Sequence, residues 1–533
     1  MRNEFIAFSI IALLAIAGLT YFVSPNFLWW LVIIVPLVII GGYDMVQKKH
    51  AIMRNYPIFG RGRYLMEELR PKLYQYFIES DTSGTPINRI SRAVVYQRAK
   101  DVKDTTPFGT QLNVYDEGYE WMNHSIAAKD AHDLEKHPRI RVGGQACKQP
   151  YDLSLFNVSA MSYGSLSANA IAALNGGAKI GGFAHNTGEG SISSHHENGG
   201  DLIYQVGTGY FGCRSKDGNF SPELFEEISQ RSYVKMIELK LSQGAKPGHG
   251  GILPAKKNNK EIAKIRNVEP NTAVHSPPYH KAFNTPIGLL KLLQQMRELS
   301  GGKPVGFKLC VGNKSEFIAI CKAMLQTGIK PDFISVDGGE GGTGAAPPEF
   351  SNSVGTPYRE GLAFVHDCLT GFDLRKEIKL IASGKMVTSF DIVRALALGA
   401  DATYSARAMM LALGCIQALL CNQNTCPTGV TTHDPELTAG LVVSDKKVRV
   451  ANYHRETIES LMELTAAAGL EHPQQFQRQH IYRRTNFNQT KRYNAIFPEM
   501  PTGALLDEQA IPTSWVGIYQ EAQAESFLPK VIA

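Results

Sequence analysis

IKLIASGKMVTSFDIVRALALGADATYSAR occupies positions 378–407. Two short apolar runs, IKLIASG and DATYSAR, stop at small residues followed by a cation, and a helical stretch separates them. Short buried strands joined by helices are the repeating unit of a parallel sheet. The same alternation recurs upstream in LFNVSA from Leu155, GFAHN from Gly182, VKMIELKL from Val234, TAVHS from Thr272, VGFKLC from Val305 and DFISVDGG from Asp332. Eight strands separated by helices over roughly 260 residues predict an α/β fold of the closed (β/α)8 TIM-barrel type. A doubly wound open sheet is the alternative, but it would place a GxGxxG after an early strand. GGEGGTG from Gly338 comes too late and is too rich in glycine for that.

In such a barrel, chemistry gathers at the C-terminal ends of the strands, and the loops after strands seven and eight commonly hold phosphate. Strand seven runs into Ser383, Gly384 and Lys385, and strand eight into Ser405, Ala406 and Arg407. Small residues leading into a helix expose backbone N–H groups to an anion. DGGEGGTGAAP after strand six adds a loop whose glycines permit close backbone approach. A flavin mononucleotide (FMN) or a sugar phosphate would satisfy this pattern.

The 533-residue chain is 44% hydrophobic and 20% charged, which describes a globular protein. Its net charge of +6 is small, and no Lys/Arg run suggests a nucleic-acid partner. The N-terminus differs in kind. Phe5 to Tyr43 contains no charged side chain. Phe5–Val23 is long enough to cross a bilayer, Phe27–Tyr43 is near the lower limit, and the SPN between them marks a tight turn. A cleavable signal peptide would continue as a soluble chain, whereas here a second apolar segment follows at once. Lys48, Lys49, Arg54, Arg61 and Arg63 come next, so the positive-inside rule expects a cell-membrane protein with its catalytic domain facing the cytoplasm. The expected organisation is a transmembrane helical hairpin over 1–43 and a small α-rich cover over 44–150. The barrel takes 151–472, and a tail follows over 473–533.

Three of the eight cysteines crowd into LGCIQALLCNQNTCPTGVTTHD, residues 413–434. Zinc usually takes paired Cys-x2-Cys ligands, and a disulfide is implausible in the cytoplasm. Cys415, Cys421 and Cys426 are therefore either three buried thiols or ligands of an iron–sulfur cluster, of 3Fe–4S type or 4Fe–4S with a distant fourth ligand.

HNTGEGS (185–191), QGAKPGHGGILPAKK (243–257), HSPPYH (275–280), DGGEGGTGAAP (337–347) and GCIQALLCNQNTCPTGV (414–430) resemble the FMN-binding synthase domain of glutamate synthases, in order along the chain. The resemblance implies a barrel with FMN and a 3Fe–4S cluster on Cys415, Cys421 and Cys426. It implies reduction of the imine of 2-oxoglutarate and ammonia to L-glutamate, with electrons from a partner such as a ferredoxin or a flavoprotein subunit. Gly338, Gly339, Gly384, Lys385, Ala406 and Arg407 would hold the phosphate and ribityl end, and Gln243 and Lys308 would approach the flavin ring. Lys240 and Lys308 become candidates for substrate carboxylates, and Glu189 for orienting the imine or relaying a proton. Several substrate-side residues depart from the family: NTGEGSIS lacks a second acid, KPGHGGILPA replaces a Glu and a Gln, SPPYHKA loses an acid, and Tyr210 stands where an arginine is common. The chain shows neither the N-terminal nucleophilic cysteine of an amidotransferase nor an NAD(P)-binding pattern, so its ammonia would be free or delivered by another chain. Two other expectations stand beside this one: a membrane-associated flavin and iron–sulfur oxidoreductase acting on another amino or hydroxy acid, and a non-catalytic assembly protein that kept the fold.

Overall fold

The computed structural model describes residues 1–102 and 105–530. The chain folds as two compact units, Met1–Arg89 and the remainder from Ile90. In the first, α1 (Arg2–Phe22) and α2 (Leu31–Val46) are joined by a 3-10 turn over Pro25–Trp30. Arg2–Phe22 and Pro25–Val46 are each long and apolar enough to cross a membrane. Two further helices follow, α3 (Ala51–Asn55) and α4 (Phe59–Leu73). The fully buried Asp44 ties α2 to α4: its carboxylate accepts Ile58 N–H at 3.0 Å and two Arg61 N–H groups at 2.7 and 2.9 Å.

The second unit is built on a closed barrel of eight parallel strands. These are β1 (Phe156–Val158), β2 (His185–Asn186), β3 (Leu202–Val206) and β4 (Val234–Lys240), then β5 (Val305–Leu309), β6 (Phe333–Asp337), β7 (Lys379–Ser383) and β8 (Ala402–Ser405). They neighbour one another in chain order, and β8 closes on β1. The strand count expected from sequence is right but one member is not. Thr272–Ser276 does not enter the barrel; Val274–His275 pairs antiparallel with Ile252–Leu253 in a separate hairpin. LIYQV takes its place as β3, buried at every residue. A run apolar on both faces signals a strand enclosed on both sides, which a search for alternation passes over.

Inside the barrel the buried Glu238 of β4 ties four strands together. It accepts Asn186 Nδ2 of β2 at 2.8 Å, Gln205 Nε2 of β3 at 2.6 Å and Ser335 Oγ of β6 at 2.5 Å. A carboxylate excluded from water needs such donors, and here each comes from a different strand. Outside the barrel, Glu120–Met122 pairs with Ile481–Asn486, which pairs with Gln489–Arg492. The buried Glu120 accepts Arg359 and Arg394, each at 2.5 Å, and Tyr493 Oη at 2.9 Å, fastening this small sheet to the helices after β6 and β7.

Candidate active site

At the C-terminal mouth, register sets the first contacts. Lys240 ends β4, and Lys308 lies opposite it on β5. Both side chains are buried, so each ammonium needs a compensating group. Lys240 Nζ lies 3.0 Å from Glu189 Oε2 and donates to Gln243 Oε1 at 2.7 Å. Lys308 Nζ lies 3.9 Å from Asp337 Oδ2, which ends β6 and also accepts Gly244 N–H at 2.9 Å. Glu189 reaches this cluster from the loop after β2. A Cβ on Gly251 would sit 2.4 Å from Glu189 Oε1, so a glycine is needed for the carboxylate to fit.

Two more cations close on Glu189. Lys246 donates to Ala345 O at 2.7 Å, and burial pushes its ammonium down to about 8. Arg266, also buried, donates to Tyr163 O at 2.9 Å and Ser162 Oγ at 3.3 Å, while its Nε has no partner. Burial brings its guanidinium down to about 10. For Glu189 itself, burial pushes upward, but Lys240, Lys246 and Arg266 together outweigh it, and the carboxyl lies below its usual range. Lys240 is lowered, burial outweighing the attraction of Glu189. Glu189 and Lys240 thus form a buried ion pair.

The expected phosphate residues gather at the β6–β8 edge. Arg407 NH2 donates to Glu340 O at 2.5 Å, and burial lowers both Arg407 and Lys385. Gly338 packs against Tyr358, where a Cβ would lie 2.5 Å from Tyr358 Cβ. Lys385 takes a left-handed φ of 51° beside Gly384. The sequence reading needs one correction here. The helix after β7 begins at Ser389, and its N-terminus is already capped by Thr388 and Asp391. Asp391 Oδ2 accepts Val387 and Thr388 N–H at 3.1 and 2.8 Å, so these two amides are already engaged. The helix after β8, Arg407–Leu413, starts at Ala406 with no side-chain cap.

Cys415, Cys421 and Cys426 sit on an irregular loop with left-handed backbone at Gln417, Leu419 and Asn424. Among the described residues, no three His, Cys, Asp or Glu side chains are gathered as a metal-ligating group. Burial pushes the Cys415 thiol up to about 12 and raises Cys421, whereas for Cys426 burial is outweighed by hydrogen bonds with Thr428 and Thr431, which lower it. Cys415 lies within electrostatic range of Cys421 and Cys426. Cys426 Sγ lies 3.4 Å from Thr428 Oγ1. The buried Lys257 donates to Cys421 O at 3.1 Å and Ser165 O at 2.7 Å, and both thiols attract its charge. Three sulfur donors beside a buried cation fit an anionic iron–sulfur cluster.

The family described as a conserved region in glutamate synthase matches residues 98–471. The chain belongs to the glutamate synthase family. The glutamate synthase large subunit-like protein YerD of Bacillus subtilis is 38% identical over 84% of this chain and 93% of that protein. The archaeal glutamate synthase (NADPH) of Methanocaldococcus jannaschii is 35% identical over 59% of this chain and 58% of its own length. The glutamate synthase (NADH) of Saccharomyces cerevisiae is 33% identical over 59% of this chain, which spans 14% of that protein.

Against this glutamate synthase background, Tyr210 faces inward onto its own fold. Ala282 N–H donates to Tyr210 Oη at 3.1 Å, Tyr210 Oη lies 3.1 Å from His280 Nδ1, and His280 Nε2 lies 2.8 Å from Lys240 O. A carbonyl only accepts, so Nε2 carries the proton and Nδ1 accepts from the tyrosine. Burial holds His280 neutral, down to about 4. His280 and Tyr210 therefore brace the end of β4. His249 sits against Gly250 O at 2.8 Å, and His275 is exposed on the hairpin. Sequence reasoning passed over Lys246, Arg266 and Asp337. Lys246 lies inside the QGAKPG segment, whereas Arg266 closes KEIAKIR, which reads as an ordinary surface helix.

Proposed function

We propose that this chain is a membrane-anchored, FMN- and iron–sulfur-dependent oxidoreductase that reduces the imine of 2-oxoglutarate and ammonia to L-glutamate. The observation that carries the reading is the charge of the mouth. Lys240, Lys246, Lys308 and Arg266 stand against Glu189 and Asp337, four cations to two carboxylates. Buried charge is costly unless compensated, and a dicarboxylate supplies the missing two negatives. Arg266, with an unpartnered Nε, and Lys246 are the cations with most capacity for a substrate carboxylate.

Gly338, Gly339, Gly384, Lys385, Ala406 and Arg407 would hold the phosphate end of FMN, with Gln243 and Lys308 toward its ring, and Cys415, Cys421 and Cys426 would hold the cluster. When bound, these groups supply single-electron transfer and hydride chemistry. The chain's own residues do the rest. Ammonia condenses with the keto carbon of 2-oxoglutarate, releasing water and leaving a neutral imine, which takes up a proton to become an iminium. Glu189, ionised because its pKa is depressed, stabilises that cation. Lys240, with its pKa lowered, supplies the proton that converts the imine nitrogen to that iminium, and hydride addition to carbon then gives the amine. The electrons come from a partner, a ferredoxin or a flavoprotein subunit. The two apolar helices anchor the enzyme at the cell membrane, with the barrel on the cytoplasmic side.

The test is anaerobic reduction by dithionite followed by 2-oxoglutarate plus ammonium. Return of oxidised-flavin absorbance with stoichiometric glutamate is expected. Reoxidation that ignores both compounds would favour the second reading, a flavin and iron–sulfur oxidoreductase for another amino or hydroxy acid. Tyr210, turned onto His280 and so offering no cation to a substrate carboxylate, is the observation on that side.

A further inference from the structure

The helix α4 turns an apolar stripe toward solvent. Phe59, Met66 and Leu73 recur every seven residues and so share one face. They are 75%, 57% and 43% exposed, and Phe77, in the π-helical turn Tyr74–Ile78 that continues α4, is 81% exposed. Arg63 and Arg70 border the stripe at helical spacing. Over residues 45–78, Lys48, Lys49, Arg54, Arg63, Arg70 and Lys72 stand against Glu67 and Glu68; Arg63 forms an exposed 3.3 Å pair with Glu67, and the charge of Arg61 is taken by Asp44. An apolar stripe flanked by cations suits an interface with oil on one side and anions on the other.

The position of the helix says which interface. Asp44 lies two residues before the end of α2, and its carboxylate holds Ile58 N–H and Arg61. The first turn of α4 is therefore clamped where α2 leaves its apolar span. We propose that α4 and the segment to Ile78 lie flat on anionic phospholipid headgroups of the bilayer that α1 and α2 cross. Phe59, Met66, Leu73 and Phe77 enter the acyl boundary, and Arg63 and Arg70 meet phosphate. This rests on the membrane anchoring proposed above.

Hydrogen exchange on the full chain separates the two ideas. The chain is reconstituted into vesicles of phosphatidylcholine alone and into vesicles with about 30% phosphatidylglycerol. Amides of 5–43 should be protected in both. Those of 59–78 should exchange about ten-fold more slowly with the anionic lipid, an effect that weakens at about 0.5 M salt. Equal exchange of 59–78 in both vesicles, with 5–43 protected, overturns the proposal alone. Free exchange of 5–43 overturns the anchoring itself. Protection of 59–78 that appears in detergent and grows with protein concentration would assign the stripe to a second copy of the chain, and also overturns it. Combining Phe59→Ser, Met66→Ser and Leu73→Ser should abolish the lipid-dependent protection while leaving exchange in the barrel strands unchanged.

Discussion

The barrel mouth and the cysteine loop, the two regions proposed above to carry chemistry, are built in opposite ways. At the mouth, charged side chains project from strand ends in fixed register and already hold one another: Glu189 with Lys240, Lys308 with Asp337. The loop over 415–426 is irregular, and its thiols are near one another without being gathered. A site carried by strands is organised by folding alone. A site carried by a loop of thiols is completed by what binds it, because metal binding and local ordering are the same free energy.

That contrast breaks most visibly at Cys421. Cys421→Ser should reduce bound iron to background while the barrel unfolds at nearly the same temperature as the parent. Stoichiometric iron in the variant would remove Cys421 from the ligand set, and a large fall in melting temperature would mean the loop supports the barrel after all. The opposite behaviour is expected beneath the mouth. Glu238→Leu leaves Asn186, Gln205 and Ser335 without their acceptor in a dry interior. Each orphaned donor is costly, and the sum should be about 3–5 kcal/mol, read as a fall in urea midpoint. A midpoint unchanged from the parent would show that the barrel does not depend on this network.

Glu189→Gln tests the mouth at the level of chemistry. Removing one preorganised charge from beside a developing cation costs about 10²-fold in kcat. Lys240 would then be buried without its ion pair, so the pH profile should shift to lower pH along with the loss of rate. A variant with unchanged kcat would leave Glu189 as a packing residue.

The two regions also differed in how far they could be read from sequence. The Ser-Gly-Lys and Ser-Ala-Arg segments were legible as strand ends, because the apolar runs before them stop there. Lys240 and Lys308 were legible as apolar-strand lysines for the same reason. LIYQV was not: without alternation, and with only a short 3-10 turn between β2 and β3, nothing announced a strand. Arg266 was invisible because burial of a helix-end arginine depends on Gly164 and Gly190, whose missing side chains leave room for its guanidinium. Tyr210 read as a substrate-side substitution, but its role depends on His280, seventy residues away in the chain, which no local pattern supplies.

The finest test of the mouth is its pH dependence. Lys246 holds its proton up to about 8, against an ordinary 10.5, because burial disfavours the charged form. If its charge helps to bind a dicarboxylate, kcat/KM for 2-oxoglutarate should be level below pH 8 and fall several-fold above it, since kcat/KM reports groups of the free enzyme. Lys246→Met should start lower and lack that inflection. Stability moves the other way over the same range. Between pH 8 and 10.5 the unfolded chain still carries the proton that the folded chain has released, so the unfolding free energy rises with pH. A fall in kcat/KM accompanied by steady or rising stability therefore isolates the lost charge. A fall that tracks a drop in stability would place the effect elsewhere in the molecule.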